Sequence, residues 1–515
     1  MEQTGSPPIW RRPVTRRAVL AAGATGAAAT AVAVLWKGDA LSQVLNHLRD
    51  TTHGYQGVFA SQRVRVAHLL RRAGFGATPA ELDRYTAMGV TGASGALLNY
   101  QATSNQALDA ALPTIDPATL AGGKGAGTIQ AWWLQRMTQT ARPLEERMTL
   151  FWHGLLTSGL DKVGPAPLFI QNQLFRTMAL ANFDDLLKAV SKDPAMMLYL
   201  DTETNRKGRP NENYARELME LFTSGIGHYT EDDVRESARA FTGWTLNTTP
   251  KDRRNATASS FVARYHDDGM KTFMGKTGNF TGDDIVEMLV PLRATAERLT
   301  ARLFGFFAYP NPEPEIVHHL ADLFQQNRYS VRAVVSEIFA MDAFYSEKAY
   351  RSLVKSPAEF VAQSLRGLSG GAASPSTSGG GPASPSPSGG GQVRPLPIFP
   401  SRLGGVGEGP GAFRQAATAM APMGQVLFYP PNVAGWPAGS SWINSSTLLS
   451  RVNFATALAQ KAGSAASLDQ LLATFVDGTV SPTTHDTLTQ FAHDNPGASA
   501  DLLSLTLSTP EFQLN

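Results

Sequence analysis

Helix-stopping residues recur so closely along this chain that only a body of short helices satisfies them, and residues 201–244 show the rule in its most compact form. Residues 200–210 form a polar connection. Residues 211–224 place Tyr214, Leu218, Leu221 and Phe222 on one apolar stripe, which predicts a helix ending at Gly225-Ile226-Gly227. Thr230, with Asp233 three residues on, caps a second helix whose buried side is Val234, Ala238 and Phe241, until Gly243-Trp244. Two helices thus meet at a tight, carboxylate-rich corner.

The same punctuation runs through the rest of the chain. Residues 63–73 read as a helix closed by Gly74-Phe75-Gly76, and Thr78-Pro79-Ala80-Glu81 opens the next with a capping box and a first-turn proline. Residues 131–158 read as two helices broken near Pro143, with Trp132, Trp133, Phe151 and Trp152 on their apolar faces. Helices follow over 172–180 and 184–191, and Asp193-Pro194 caps another. Over 259–274 the period shortens to two around His266-Asp267-Asp268-Gly269, which predicts a lone hairpin. Helical spacing returns over 294–307, 313–327, 330–341 and 357–368. Residues 369–392 hold almost nothing but Gly, Ser, Pro and Ala and read as a disordered insert. In residues 423–454, Pro430, Pro431, Gly435 and Pro437 forbid a long helix and set Trp436 and Trp442 in an ordered loop. The expected fold is mostly α: a single large multi-helix domain over 41–515 with one small β-hairpin and the long insert.

Residues 1–37 form a leader, in which Arg11, Arg12, Arg16 and Arg17 precede a weakly apolar run. Thr15-Arg16-Arg17-Ala18-Val19-Leu20 resembles a twin-arginine export signal, with valine and alanine at two positions usually held by phenylalanine and lysine. It implies passage through the twin-arginine translocase and a final place outside the cell or on the outer face of the cytoplasmic membrane, the leader being cleaved or kept as an anchor. Five cations and Glu2 in the leader carry +4 of the formal charge of +2, leaving −2 on the remainder, which argues against nucleic acid as the main partner. The chain has no cysteine, so iron–sulfur clusters, c-type haem and thiolate metal sites are excluded. A divalent metal would need His, Asp, Glu or other oxygen ligands.

Several motifs together resemble one family. They are His68-Leu69-Leu70-Arg71-Arg72-Ala73-Gly74-Phe75-Gly76, Phe151-Trp152-His153, PNENYARELMELFTSGIGHYTEDDV over 210–234, the 238–244 segment, His266-Asp267, and PPNVAGWP over 430–437 followed by Trp442. The chain is similar in these to the large exported bacterial family catalogued as domain of unknown function eighteen hundred. The resemblance spans nearly everything from Arg63 to Phe512, the insert being the chief departure. It implies a mostly helical exported protein, often found beside a sulfatase-like companion family, and brings no activity, substrate or cofactor.

The chemistry therefore rests on residues. Asp201, Glu203, Asn205, Lys207, Arg209 and Glu212 stand at positions 1, 3, 5, 7, 9 and 12 of a calcium-loop spacing, but Arg206 occupies the glycine position and three cations oppose an ion. A looser oxygen-ligand metal site would use Asp201, Glu203 and Glu212, with His266 as a further donor. The simpler reading has Glu212 cap its own helix and Arg206 and Arg209 neutralise the carboxylates. Glu217 and Glu220 are candidate acid and base, with His153 as a third catalytic candidate. Arg216, Arg235 and Arg239 are near enough in sequence to pair with those two glutamates instead. Trp244, Trp436 and Trp442, with Tyr429, form a candidate aromatic platform for a glycan.

Two functions fit. The first is an exported cell-envelope protein that binds or matures another exported protein. The alternative is a metal-dependent hydrolase or oxidoreductase acting on an envelope polymer. No nucleophile elbow, phosphate loop or dinucleotide fingerprint is present.

Overall fold

A computed structural model of the chain describes residues 57–121, 125–249, 251–371, 410–463 and 466–515. Residues 1–37, expected to be a leader, and residues 372–392 of the expected insert lie outside them. The described residues are mostly helical, and the caps explain where the helices begin. Thr78 accepts from the Glu81 N–H while Glu81 returns a bond to the Thr78 N–H, so Pro79–Ala87 starts as its sequence dictates. Asp193 caps Pro194–Tyr199 by accepting from the Met196 N–H at 2.9 Å. Thr230 and Asp233 make the reciprocal box of Glu231–Ala240. Proline opens rather than interrupts the pair Gly125–Gln139 and Pro143–Leu155.

Two expectations change. The 211–224 segment is not one regular helix: Asn213–Glu217 is α-helical, and Leu218–Phe222 shifts to the wider π pattern. Its freed carbonyls are met by Thr223 Oγ1, which donates to Leu218 O at 2.6 Å, and by the Gly225 N–H, which donates to Met219 O at 2.8 Å. The lone hairpin over 259–274 does not form either. Ser259–Phe261 pairs antiparallel with Trp244–Leu246, and Lys271–Phe273 pairs with Lys276–Gly278, so two small sheets replace it. Alternation marks Ser259–Phe261 and Lys271–Phe273 as strands, but their partners, Trp244–Leu246 and Lys276–Gly278, lie outside residues 259–274.

The apolar residues sort into two large cores. One runs from Val66 to Ala349, with Met148, Trp152, Phe183 and Phe304 near its middle. The other joins Trp133, Leu134, Phe360, Phe428 and Phe512. The Pro143–Leu155 helix feeds both, through Met148 to one side and Leu150 to the other, and Tyr199 packs against both. Around this seam lie buried ion pairs. Glu146, fully buried, accepts from Arg176 at 2.5 and 2.9 Å, from Arg136 at 3.0 Å and from Trp133 Nε1 at 3.1 Å. Arg147 meets Glu359, also buried. Other buried basic side chains close helix ends: Arg366 donates to the carbonyls of Thr138 and Thr140, and the Lys355 amine to that of Phe512 at 2.6 Å. A cation at a helix C-terminus meets both the unpaired carbonyls and the negative end of the dipole.

Candidate functional site

The corner around Asp201 is built by short connections. Asp201 itself takes a left-handed conformation, φ 59°, just beyond Pro194–Tyr199. Its carboxylate meets Lys162 Nζ at 2.7 Å and Asn213 Nδ2 at 3.1 Å, and Lys162 also donates to Tyr199 O. Asn205 holds the loop from within, donating to Ala238 O at 2.7 Å while its Oδ1 accepts from the Asn211 N–H. Glu203 is buried against Arg253, Lys207 meets Asp268, and Glu212 lies 3.4 Å from Arg216. Arg206 differs from its expected role: it lies over the Tyr265 ring at 4.7 Å and donates to Trp244 O rather than to a carboxylate. The oxygen donors of the calcium-type spacing thus face separate partners. Among the described residues no group of three or more His, Asp or Glu is placed to hold a metal ion. His266 sits apart from that loop's carboxylates in its own contacts, with Nδ1 at 2.9 Å from Thr242 O and its ring on Phe261. Its neighbour Asp267 is held at about 2, first by the hydrogen bond from Arg239, against the opposing effect of burial.

Glu217 and Glu220 follow, one on each side of the switch to π geometry. The arginines expected to neutralise them go elsewhere. Arg216 reaches Glu231 at 2.7 Å, Arg235 meets Asp232, and Arg239 bridges Glu236 and Asp267 at 2.7 Å each. Glu220 accepts from the Tyr229 hydroxyl at 3.2 Å. The Glu217 carboxyl is pushed above its ordinary range by burial and then by the Glu220 charge. A carboxyl so raised keeps its proton to higher pH than a free glutamate does.

Glu220 also lines a cleft of about 1140 Å³ between the 220–233 segment and the start of Arg293–Phe307. Its walls mix Leu221, Met274 and Leu292 with Ser224, Arg293 and Arg298. Ile226 stands at its rim, 78% exposed, between Gly225 at φ 84° and Gly227 at φ 90°. The Gly-Ile-Gly punctuation was visible in the sequence as a helix stop. That it presents an apolar side chain beside Arg298 was not, because Arg298 comes from a helix some seventy residues on.

His153 and Trp436 form the second brought-together pair. The ring of His153 has its centroid 5.2 Å from Trp436, 5.3 Å from Phe428 and 5.4 Å from Trp133. Burial alone lowers its pKa to about 3, so the imidazole is neutral. Gly435 makes the approach feasible, since a Cβ there would fall 2.1 Å from Gly154 O. Trp442 is buried with Val354, Ile443 and Leu514, while Trp244 packs on Phe261 with Lys192 Nζ 5.5 Å from its ring. Trp436 packs against the small core that buries Trp442, Trp244 lies apart from both in its contact with Phe261, and Tyr429 is the exposed ring of the four, at 48%.

The fold and this corner define a class: a many-helix protein with two apolar cores, a neutral histidine caged by aromatic rings, and a mixed cleft beside paired glutamates. A family model described as "Protein of unknown function (DUF1800)" matches residues 68–514, and the chain belongs to that family. No curated protein and no solved structure matches it.

Proposed function

We propose that the protein acts in the cell envelope as a binding or maturation partner of another exported protein, and that it holds an extended segment of that partner in the cleft beside Ile226. One observation carries the reading. A large apolar side chain stands in solvent at the rim of a cleft of about 1140 Å³, and the walls behind it offer both apolar contacts and polar groups. Isolated surface apolar residues are ordinary, but one set between two left-handed glycines at a cleft mouth is positioned by the backbone. Affinity purification of the full chain from the envelope should retrieve a stoichiometric exported companion. Ile226→Asp, a surface change, should lose it at unchanged thermal stability. A solitary monomer under mild extraction would overturn the proposal.

A hydrolase acting on an envelope polymer is the second reading, favoured by the raised Glu217 carboxyl beside Glu220. Such a pair supplies an acid and a base only when a substrate lies within reach of both. Turnover of envelope polymer that is lost in Glu217→Gln, with folding intact, would support it. If a divalent metal takes part, elemental analysis of native protein would find it in stoichiometric amount.

A further inference from the structure

Phe428 takes a left-handed conformation, φ 61°, which is uncommon for a bulky residue. That turn sends consecutive aromatic side chains in opposite directions. Phe428 is fully buried against Trp133 and His153, and Tyr429 is left 48% exposed. Strain of this kind persists where the surroundings over-determine it, and it concentrates at binding sites.

Tyr429 forms one wall of a cleft of about 490 Å³, with Gln130, Gly164, Pro165, Arg254 and Asn255. The volume lies within the range of small-ligand sites, roughly 300–1,000 Å³. The cleft is rigidly framed. Leu160 N–H donates to Phe428 O at 2.8 Å, Gly164 N–H to Arg254 O at 2.7 Å, and Gln130 Nε2 to Leu427 O at 2.9 Å. Gly164 is required: a Cβ there would fall 2.2 Å from Asn255 Oδ1 and 2.3 Å from Arg254 O.

The polar groups in this frame have capacity to spare. Among the described residues, the Tyr429 hydroxyl and the Asn255 side-chain nitrogen have no hydrogen-bond partner. The Arg254 guanidinium is exposed, makes no ion pair among those residues, and uses only Nη2, toward Leu160 O and Asp161 O. An exposed aromatic face rimmed by hydrogen-bond donors matches one chemistry in particular. A pyranose ring presents C–H groups on its face and hydroxyls at its edge, so the face stacks on tyrosine while the edge accepts from Asn255 and Arg254.

We infer that this cleft is a carbohydrate subsite, in which one sugar ring stacks on Tyr429 and is oriented by Asn255 and Arg254. It is independent of the Ile226 cleft and of the partner assigned there. Saturation-transfer NMR on the full chain, with cellobiose and N,N′-diacetylchitobiose as probes, tests it. Signal should pass to ring C–H protons of at least one disaccharide. Tyr429→Ala should weaken that binding about tenfold, Tyr429→Phe should preserve it, and Asn255→Ala should fall between. Because Tyr429 is exposed, thermal melting of the variants should match the parent. Absence of transfer from both sugars, or affinity unchanged in Tyr429→Ala, would overturn the inference. So would equal binding of indole, which stacks but carries no hydroxyls.

Discussion

The corner at 201–244 and the seam around Glu146 use the same residue types to opposite ends. At the corner, Arg216 and Glu231 pair at 2.7 Å with 35% and 73% of their side chains exposed. At the seam, Arg176 and Glu146 pair at 2.5 Å with 7% and 0%. Water screens the first pair and is excluded from the second, so similar contacts differ several-fold in what their loss costs. Charge density in the sequence therefore does not separate displayed charges from buried ones; what does is that the charges meeting at Glu146 come from three packed helices, Gly125–Gln139, Pro143–Leu155 and Pro165–Thr177.

Breaking the seam should give the largest effect. Glu146→Gln leaves Arg136 and Arg176 buried without their carboxylate, and stability should fall by about 3–5 kcal/mol in chemical denaturation. The same group sets an acid limit. Burial raises the Glu146 carboxyl, but Arg176 and then Arg136 outweigh it and hold it at about 2. A carboxyl depressed on folding stabilises the protein above its unfolded pKa, so this contribution is lost as pH falls from the ordinary glutamate range through about 2.

His153 adds a second acid sensitivity in a different window. Its pKa falls from 6.5 to about 3 through burial, so below 6.5 the unfolded chain takes up a proton that the folded chain refuses. Stability should decline between those two pH values, and His153→Phe should flatten that part of the profile even where its packing lowers the melting temperature overall. A decline of unchanged slope would remove His153 from the account.

Gly435→Ala should cost about 1–3 kcal/mol, the usual range for overpacking, because its Cβ would collide with Gly154 O in a backbone that already favours glycine. The smallest effect belongs to the corner: Arg216→Ala should change the melting free energy by less than about 1 kcal/mol. A larger loss would erase the contrast between the two regions.

What could be read from the sequence follows the range of the interactions involved. Caps act over three residues, so Thr78, Asp193 and Thr230 announced their helices correctly. The π segment after Glu217 could not be announced, because apolar spacing looks the same in either helix and Tyr214 and Phe222 are fixed by distant packing. Strand partners fifteen residues apart, such as Thr245 and Ser260, escaped a window centred on His266. His153 and Trp436 stand nearly three hundred residues apart in sequence, and the close approach of Gly435 to Gly154 O lets their rings meet. Arg298 carried no local signal at all.

On the proposed function, the displayed charges of the corner are dispensable for binding whereas the Ile226 rim is not. Recovery of the proposed exported companion should be measured side by side from envelopes carrying the parent chain, Arg216→Ala and Ile226→Asp. The account predicts equal recovery for the first two and loss for the third. Loss with Arg216→Ala and full retention with Ile226→Asp would contradict it.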